Sequence, residues 1–243
     1  MNDVTVLPEP KPRLGSLSAP DVIVILATGI GMLILGSFVI GSLMELSLVA
    51  SLLLYAVNVI ALVGSVYALG VLRRKVSWAE LGMRPAPRLW LLAAVLIALF
   101  FIPVRVVVGL SIQLLLHLPM ENLQARADIL ASELSWAGFL STLLMAGAMI
   151  PFAEELFFRG VLYGWLRRRY GMWIGIVASA LVFAIAHGDI AIGISNLILG
   201  CVLAWIYERS QSLWVPVAVH AVNNSLAVAL LYTVLALQPL LPR

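Results

Sequence analysis

The stretch Pro151-Phe152-Ala153-Glu154-Glu155-Leu156-Phe157-Phe158-Arg159-Gly160 sets two adjacent carboxylates and a guanidinium in an otherwise apolar run. Neither 140–150 before it nor 161–166 after it carries a charge. Ionisable groups at membrane depth cost several kcal/mol each unless paired or facing a polar cavity, so they mark function by default. Residues four apart share a helix face, which sets Glu155 and Arg159 to pair. One residue further along a helix is a rotation of about 100°. Glu154 is therefore expected to turn away from the pair and serve as a working carboxylate, with Glu155 and Arg159 as its support. The bland alternative is a buried ion pair beside a spare glutamate that only packs helices.

Other apolar stretches bring matching groups. Phe183 precedes His187 by one turn and can pack on its imidazole, and His220 and Asn224, four apart, face one side of a helix. A glutamate can act as general base toward water, and a histidine can share or relay the proton. A neutral histidine and an asparagine can donate hydrogen bonds to a developing oxyanion. These are the parts for water attack on an amide. Glu154, His187 and His220 could also bind zinc as a two-histidine, one-carboxylate set, although no His-Glu-x-x-His signature is present. A Gly-x-Ser-x-Gly element and a catalytic-cysteine context are both absent. The single Cys201 excludes a disulfide framework or a cysteine-rich zinc site and reads as a small core residue.

Helices across a bilayer must position these groups. The 243 residues are 63% hydrophobic and 11% charged, with mean hydropathy +1.07, against about 25% charged for soluble domains. Apolar runs match the ~20 residues a spanning helix needs. The reading is an all-α, polytopic membrane helix bundle of about seven spans, or eight, around a central polar cavity. The spans fall near 21–44, 47–72, 89–116, 137–166, 172–187, 190–207 and 213–238. Residues 1–20, with Pro8, Pro10, Pro12 and Pro20, read as a disordered tail without signal-peptide character, and 21–243 as one membrane domain. Arg105 in the third span is either a group snorkelling to an interface or half of an internal ion pair. Residues 121–134 are compatible with a short surface helix. Pro151 should kink the fourth span and free a carbonyl one turn earlier. At ~1.5 Å per residue, Glu154 and His187 lie ~20 Å from the ends of their spans and His220 only ~10 Å. The 209–216 connection is therefore expected to dip inward, lining protein or a water-filled cavity.

Taken in order, Glu154-Glu155-x-x-x-Arg159, Phe183-x-x-x-His187 and His220-x-x-x-Asn224 resemble the three motifs of the CAAX protease and bacteriocin-processing (CPBP, or Abi) family of intramembrane proteases, relatives of the CAAX prenyl endopeptidases. Phe158-Arg159-Gly160 and Leu213-Trp214-Val215-Pro216 look similar to their surroundings in that family. The resemblance covers roughly 90–235, the protease core. It implies a multi-helix fold with a central cavity and endopeptidase activity on a membrane-associated protein or peptide. By the same resemblance, Glu154 and His187 would activate the water, while His220 and Asn224 would form the oxyanion hole. Family names often say metalloprotease. A metal-free, glutamate-dependent mechanism is the reading favoured here, with no cofactor, because Asn224 rides beside His220 as a pair of donors would. Zinc is the alternative. The rival classes are a transporter, against which no inverted repeat is found, and a non-enzymatic immunity or scaffold protein. The bilayer is the expected environment, and no nucleic-acid partner is implied.

Charge asymmetry gives an orientation. With a cytoplasmic N-terminus in a plasma or inner membrane, the inner segments hold Lys11, Arg13, Arg73, Arg74, Lys75, Arg84, Arg88, Arg167, Arg168, Arg169 and Arg209, and the outer ones Arg126 and Arg243. Cysteines introduced at Val76 and Arg169 should then escape a membrane-impermeant reagent added outside, and one at Ala127 should react. Labelling at 169 from outside would reverse the orientation.

Overall fold

Ser18, Ser47, Ser135 and Asp189 each precede an apolar run, and each side chain takes up a free amide of the first turn that follows. These caps set the starts of four helices in a computed structural model that describes residues 17–86, 88–118 and 121–238. The helices are α1 (Ala19–Leu43), α2 (Leu48–Arg73), α3 (Arg88–Leu115), α4 (Glu121–Leu130), α5 (Trp136–Tyr170), α6 (Met172–Ile185), α7 (Ile190–Ser210) and α8 (Trp214–Leu237). No strand occurs among the described residues. The helical membrane bundle read from composition is the architecture observed.

The helix count differs in one place. Six helices, α1, α2, α3, α5, α7 and α8, are long and apolar enough to cross a membrane. The stretch expected as a fifth span forms α6, which is apolar but only 14 residues long. That is ~21 Å at ~1.5 Å per residue, short of a hydrocarbon core of ~30 Å. It stops at a turn through Gly188, whose φ of +65° is glycine territory, and Asp189 starts α7 at once. The outer helices turn apolar side chains outward, among them Phe38, Leu35, Leu92 and Phe100, as a lipid-facing surface requires. The chain is an integral membrane protein.

The tail boundary also moves. Ser18 and Asp21 close a capping box and Pro20 sits in the first turn, where its missing amide is harmless. Leu17 is buried, and its carbonyl accepts from Arg168 Nη2 at 2.9 Å. Ordered structure thus reaches back past residue 20. The rest of the expected tail, 1–16, lies outside the described residues.

Pro151 acts on α5 as its chemistry requires. Proline has no amide hydrogen, so the carbonyl four residues earlier loses its helical partner. The helix widens into a π-helical turn over Met145–Met149 just before it. Helix α8 then takes up the loosened carbonyls: Ser225 Oγ donates to Gly147 O at 3.4 Å and Asn224 Nδ2 to Ala146 O at 3.3 Å. The α7–α8 connection is drawn inward as well. Leu213 N donates to Gly82 O at 2.7 Å, Ser212 Oγ to Arg84 O at 2.7 Å and Tyr207 OH to Leu81 O at 3.0 Å. Ser212 and Leu213 are both buried beneath that loop, so α8 begins inside the protein, and His220 needs only a short helical run to reach the centre.

The α5–α8 seam depends on a glycine. A Cβ at Gly147 would stand 2.7 Å from Ser225 Oγ. Gly147→Ala should therefore lower the thermal midpoint in detergent, with an overpacking cost of roughly 1–3 kcal/mol, while Gly31→Ala, at a position with open space around it, should not.

Candidate active site

Glu155 is fully buried, and one of its oxygens carries two contacts. Oε1 accepts from Arg159 Nη1 at 3.0 Å and faces His220 Nδ1 at 2.8 Å. Arg159 also donates from Nη2 to Gly200 O at 3.2 Å, tying α5 to α7. Its guanidinium lies 4.5 Å over the ring of Phe183, a cation–π contact strengthened by the absence of water. Glu155 Oε2 and Arg159 Nε are buried without a hydrogen-bond partner, so the pair is single-pronged.

Glu154 stands outside the ion pair, as expected, yet reaches the same histidine. A second π-helical stretch of α5, Glu155–Tyr163, begins immediately after it. Both carboxylates approach α8. His220 stands between them, with Nδ1 on Glu155 and Nε2 at 3.7 Å from Glu154 Oε2. Glu154 keeps a little exposure, 9%, where Glu155 has none, so it is the carboxylate at the edge of the cluster.

Phe183 joins the second histidine to the first. Its ring is edge-on to His187 at 4.7 Å and to His220 at 5.9 Å, and Phe158 meets it at 5.1 Å. His187 Nδ1 lies 2.8 Å from Phe183 O. With the hydrogen on Nδ1, its Nε2 is left as an acceptor. His220 follows the same logic. In the tautomer that donates Nδ1–H to Glu155, Nε2 accepts, and once protonated it becomes a donor. Glu155 thus fixes the orientation of His220 from behind, as the third group of a nucleophile-activating set does. Asn224 is partly exposed beside it, with an amide hydrogen on Ala146 O.

Arg105 is neither a snorkelling group nor half of an ion pair. One of its Nη atoms donates to Asn196 Oδ1 at 2.7 Å and the other to Asn223 Oδ1. Sequence reasoning noted Asn223 as a polar residue in its span and passed over Asn196. The only signal for either was an amide in an apolar helix. Among the described residues no three His, Cys, Asp or Glu side chains gather as a metal-holding group. The contact of His220 Nδ1 with Glu155 is compatible with a ligating Nε2, but Glu154, His187 and His220 do not gather as a three-ligand group, so no chemical step is routed through a metal here.

Such a carboxylate–imidazole cluster, enclosed among apolar helices, is the candidate site of a polytopic helical membrane protein. Residues 135–226 match the family described as type II CAAX prenyl endopeptidase Rce1-like, a segment holding every motif residue from Glu154 to Asn224. With the motifs in order, this match supports a protein of the CAAX protease and bacteriocin-processing family. It is similar to a Bacillus subtilis (strain 168) protein described as "Putative membrane peptidase YdiL", 25% identical over 109 residues, covering 44% of this chain and 42% of that one. It is also similar to an "Uncharacterized 24.3 kDa protein" of Escherichia coli, 31% identical over 110 residues, covering 43% of this chain and 49% of the other. The matches thus span less than half the length of either relative. No solved structure matches the chain.

The geometry separates two substitutions. Arg159→Ala leaves Glu155 as an uncompensated buried charge and strips a contact from Gly200 and Phe183, a loss of roughly 3–5 kcal/mol. Glu154→Gln keeps the shape at the edge of the cluster. Folded yield and thermal midpoint in detergent should fall much further for Arg159→Ala, and equal stability would remove Glu155–Arg159 as the structural support.

Proposed function

We propose that the protein is an endopeptidase that hydrolyses a peptide bond of a membrane-associated protein or peptide, by a glutamate-dependent and metal-free route. The observation that carries this reading is the 3.7 Å separation of Glu154 Oε2 and His220 Nε2. Two atoms so spaced can both reach one water at hydrogen-bond distance, roughly 2.8 Å from each. Glu154 accepts the proton of the attacking water, assisted by His187, whose Nε2 is the acceptor when Nδ1 donates to Phe183 O. The tetrahedral oxyanion needs donors already in place. Protonated His220 supplies one from Nε2, held in line by Glu155, and Asn224 supplies the second. The hydrogen on His220 Nε2 is our refinement of a neutral-histidine donor: a ring that spends its only hydrogen on Glu155 has none for an oxyanion. The family match and the peptidase named among the relatives support the reaction class.

The test is a proteomic comparison of membranes holding the wild type and Glu154→Gln. An uncut species should accumulate only in the variant, and a scaffold or immunity protein would instead function unchanged. With a cleaved peptide in hand, Asn224→Ala should lower turnover by on the order of 10²–10³ through loss of one oxyanion donor. Glu154→Gln and His187→Ala should lower it further, because the water is then unactivated. Elemental analysis of pure active protein, with a chelator titration, decides between the two mechanisms. Stoichiometric zinc lost and regained together with activity would overturn the metal-free route and leave the peptidase standing.

A further inference from the structure

Arg105 sits far from either end of α3, a 28-residue helix whose flanks are apolar. Its guanidinium reaches between α7 and α8 and is held there by two neutral amides, Asn196 and Asn223. Among the described residues no carboxylate lies within ion-pair distance of it. An arginine has more N–H donors than two amide oxygens consume. Its Nε is buried without a partner, and so is Nδ2 of Asn223, which is itself 1% exposed. Its partner Asn223 lies three residues after His220 on α8, on the same side of that helix, which brings the guanidinium toward the candidate reaction centre. A desolvated cation among apolar helices is expensive, and a buried one is normally answered by an acid, as Arg159 is answered by Glu155. Here the fold supplies a fork of unsatisfied donors and no acid.

We infer that Arg105 and Asn223 form an anion subsite that binds a carboxylate of the substrate. This rests on the peptidase reading and narrows its substrate class to peptides with a carboxylate near the scissile bond, either a free C-terminus or an Asp or Glu side chain. The planar guanidinium matches a carboxylate in geometry as well as charge. The peptide's own acid then neutralises the cation on arrival. Asn196 acts as a positioning residue, holding the guanidinium from the α7 side.

The test uses the full chain in nanodiscs and one apolar, fluorescein-labelled heptapeptide in three forms. These are a free C-terminal carboxylate, a C-terminal amide, and a C-terminal amide with one internal Glu. Affinity is read by fluorescence anisotropy and cleavage separately by mass spectrometry. The wild type should bind at least one acidic form about tenfold or more tighter than the neutral amide, as a charge-assisted contact would give. The form preferred identifies the source of the carboxylate. Arg105→Gln should bind all three forms alike with a thermal midpoint no lower than the wild type, since glutamine still bonds to the asparagines and the uncompensated charge is gone. Arg105→Lys should keep part of the preference, which a purely structural role would not. If Arg105→Gln fails to fold, Arg105→Met, apolar and similar in length, carries the same comparison. A wild type indifferent to both carboxylates, or an Arg105→Gln that keeps the preference, overturns the subsite. A preserved preference without cleavage of any peptide leaves the subsite standing and counts against the peptidase reading instead.

Discussion

Glu155 Oε1 is the atom on which the centre of this protein depends. It accepts from Arg159 on its own helix and faces Nδ1 of His220 on α8. Neither cation nor imidazole would be tolerable in that interior without it, and the carboxylate would be intolerable without them. The cluster closes four helices into one unit, because Arg159 continues to Gly200 O on α7 and stacks on Phe183 of α6. A buried ion pair contributes little net stability, yet it imposes geometry: breaking either half leaves a bare charge. Here that geometry is the orientation of His220, and with it the direction in which Nε2 points.

The backbone of α5 makes the arrangement possible by being irregular. One π-helical turn lies just ahead of Pro151 and another begins at Glu155, so the working residues sit between two widened stretches of the same helix. Each widening loosens backbone groups that a bilayer interior would not forgive. The first is repaired from α8 by Asn224 and Ser225. The side chain that reads by motif as an oxyanion donor therefore also repairs the helix that carries Glu154.

The two arginines of the interior show opposite treatments of the same chemical problem. Arg159 is enclosed, paired and stacked, as a support must be. Arg105 is held by amides, with donors to spare. A protein selected for stability alone would replace such a cation with an apolar side chain. Departures from local consistency of this sort are expected at functional sites.

Composition alone determined that the chain lives in a membrane as a helix bundle, since so few charges in so apolar a chain leave no other environment. The i, i+4 spacing determined that Glu155 and Arg159 meet, and that Phe183 packs on His187, because both are local consequences of helical geometry. Three things belonged to the tertiary structure. The meeting of Glu154 and Glu155 at one histidine depended on where α8 lies against α5. The seating of the α7–α8 connection depended on hydrogen bonds to residues more than a hundred positions earlier in the chain. The partners of Arg105 came from α7 and α8, so no reading of α3 could have named them. Spacing along one helix is fixed by covalent geometry. Which helices face one another, and at what height, is decided only when all the buried polar groups must be satisfied at once.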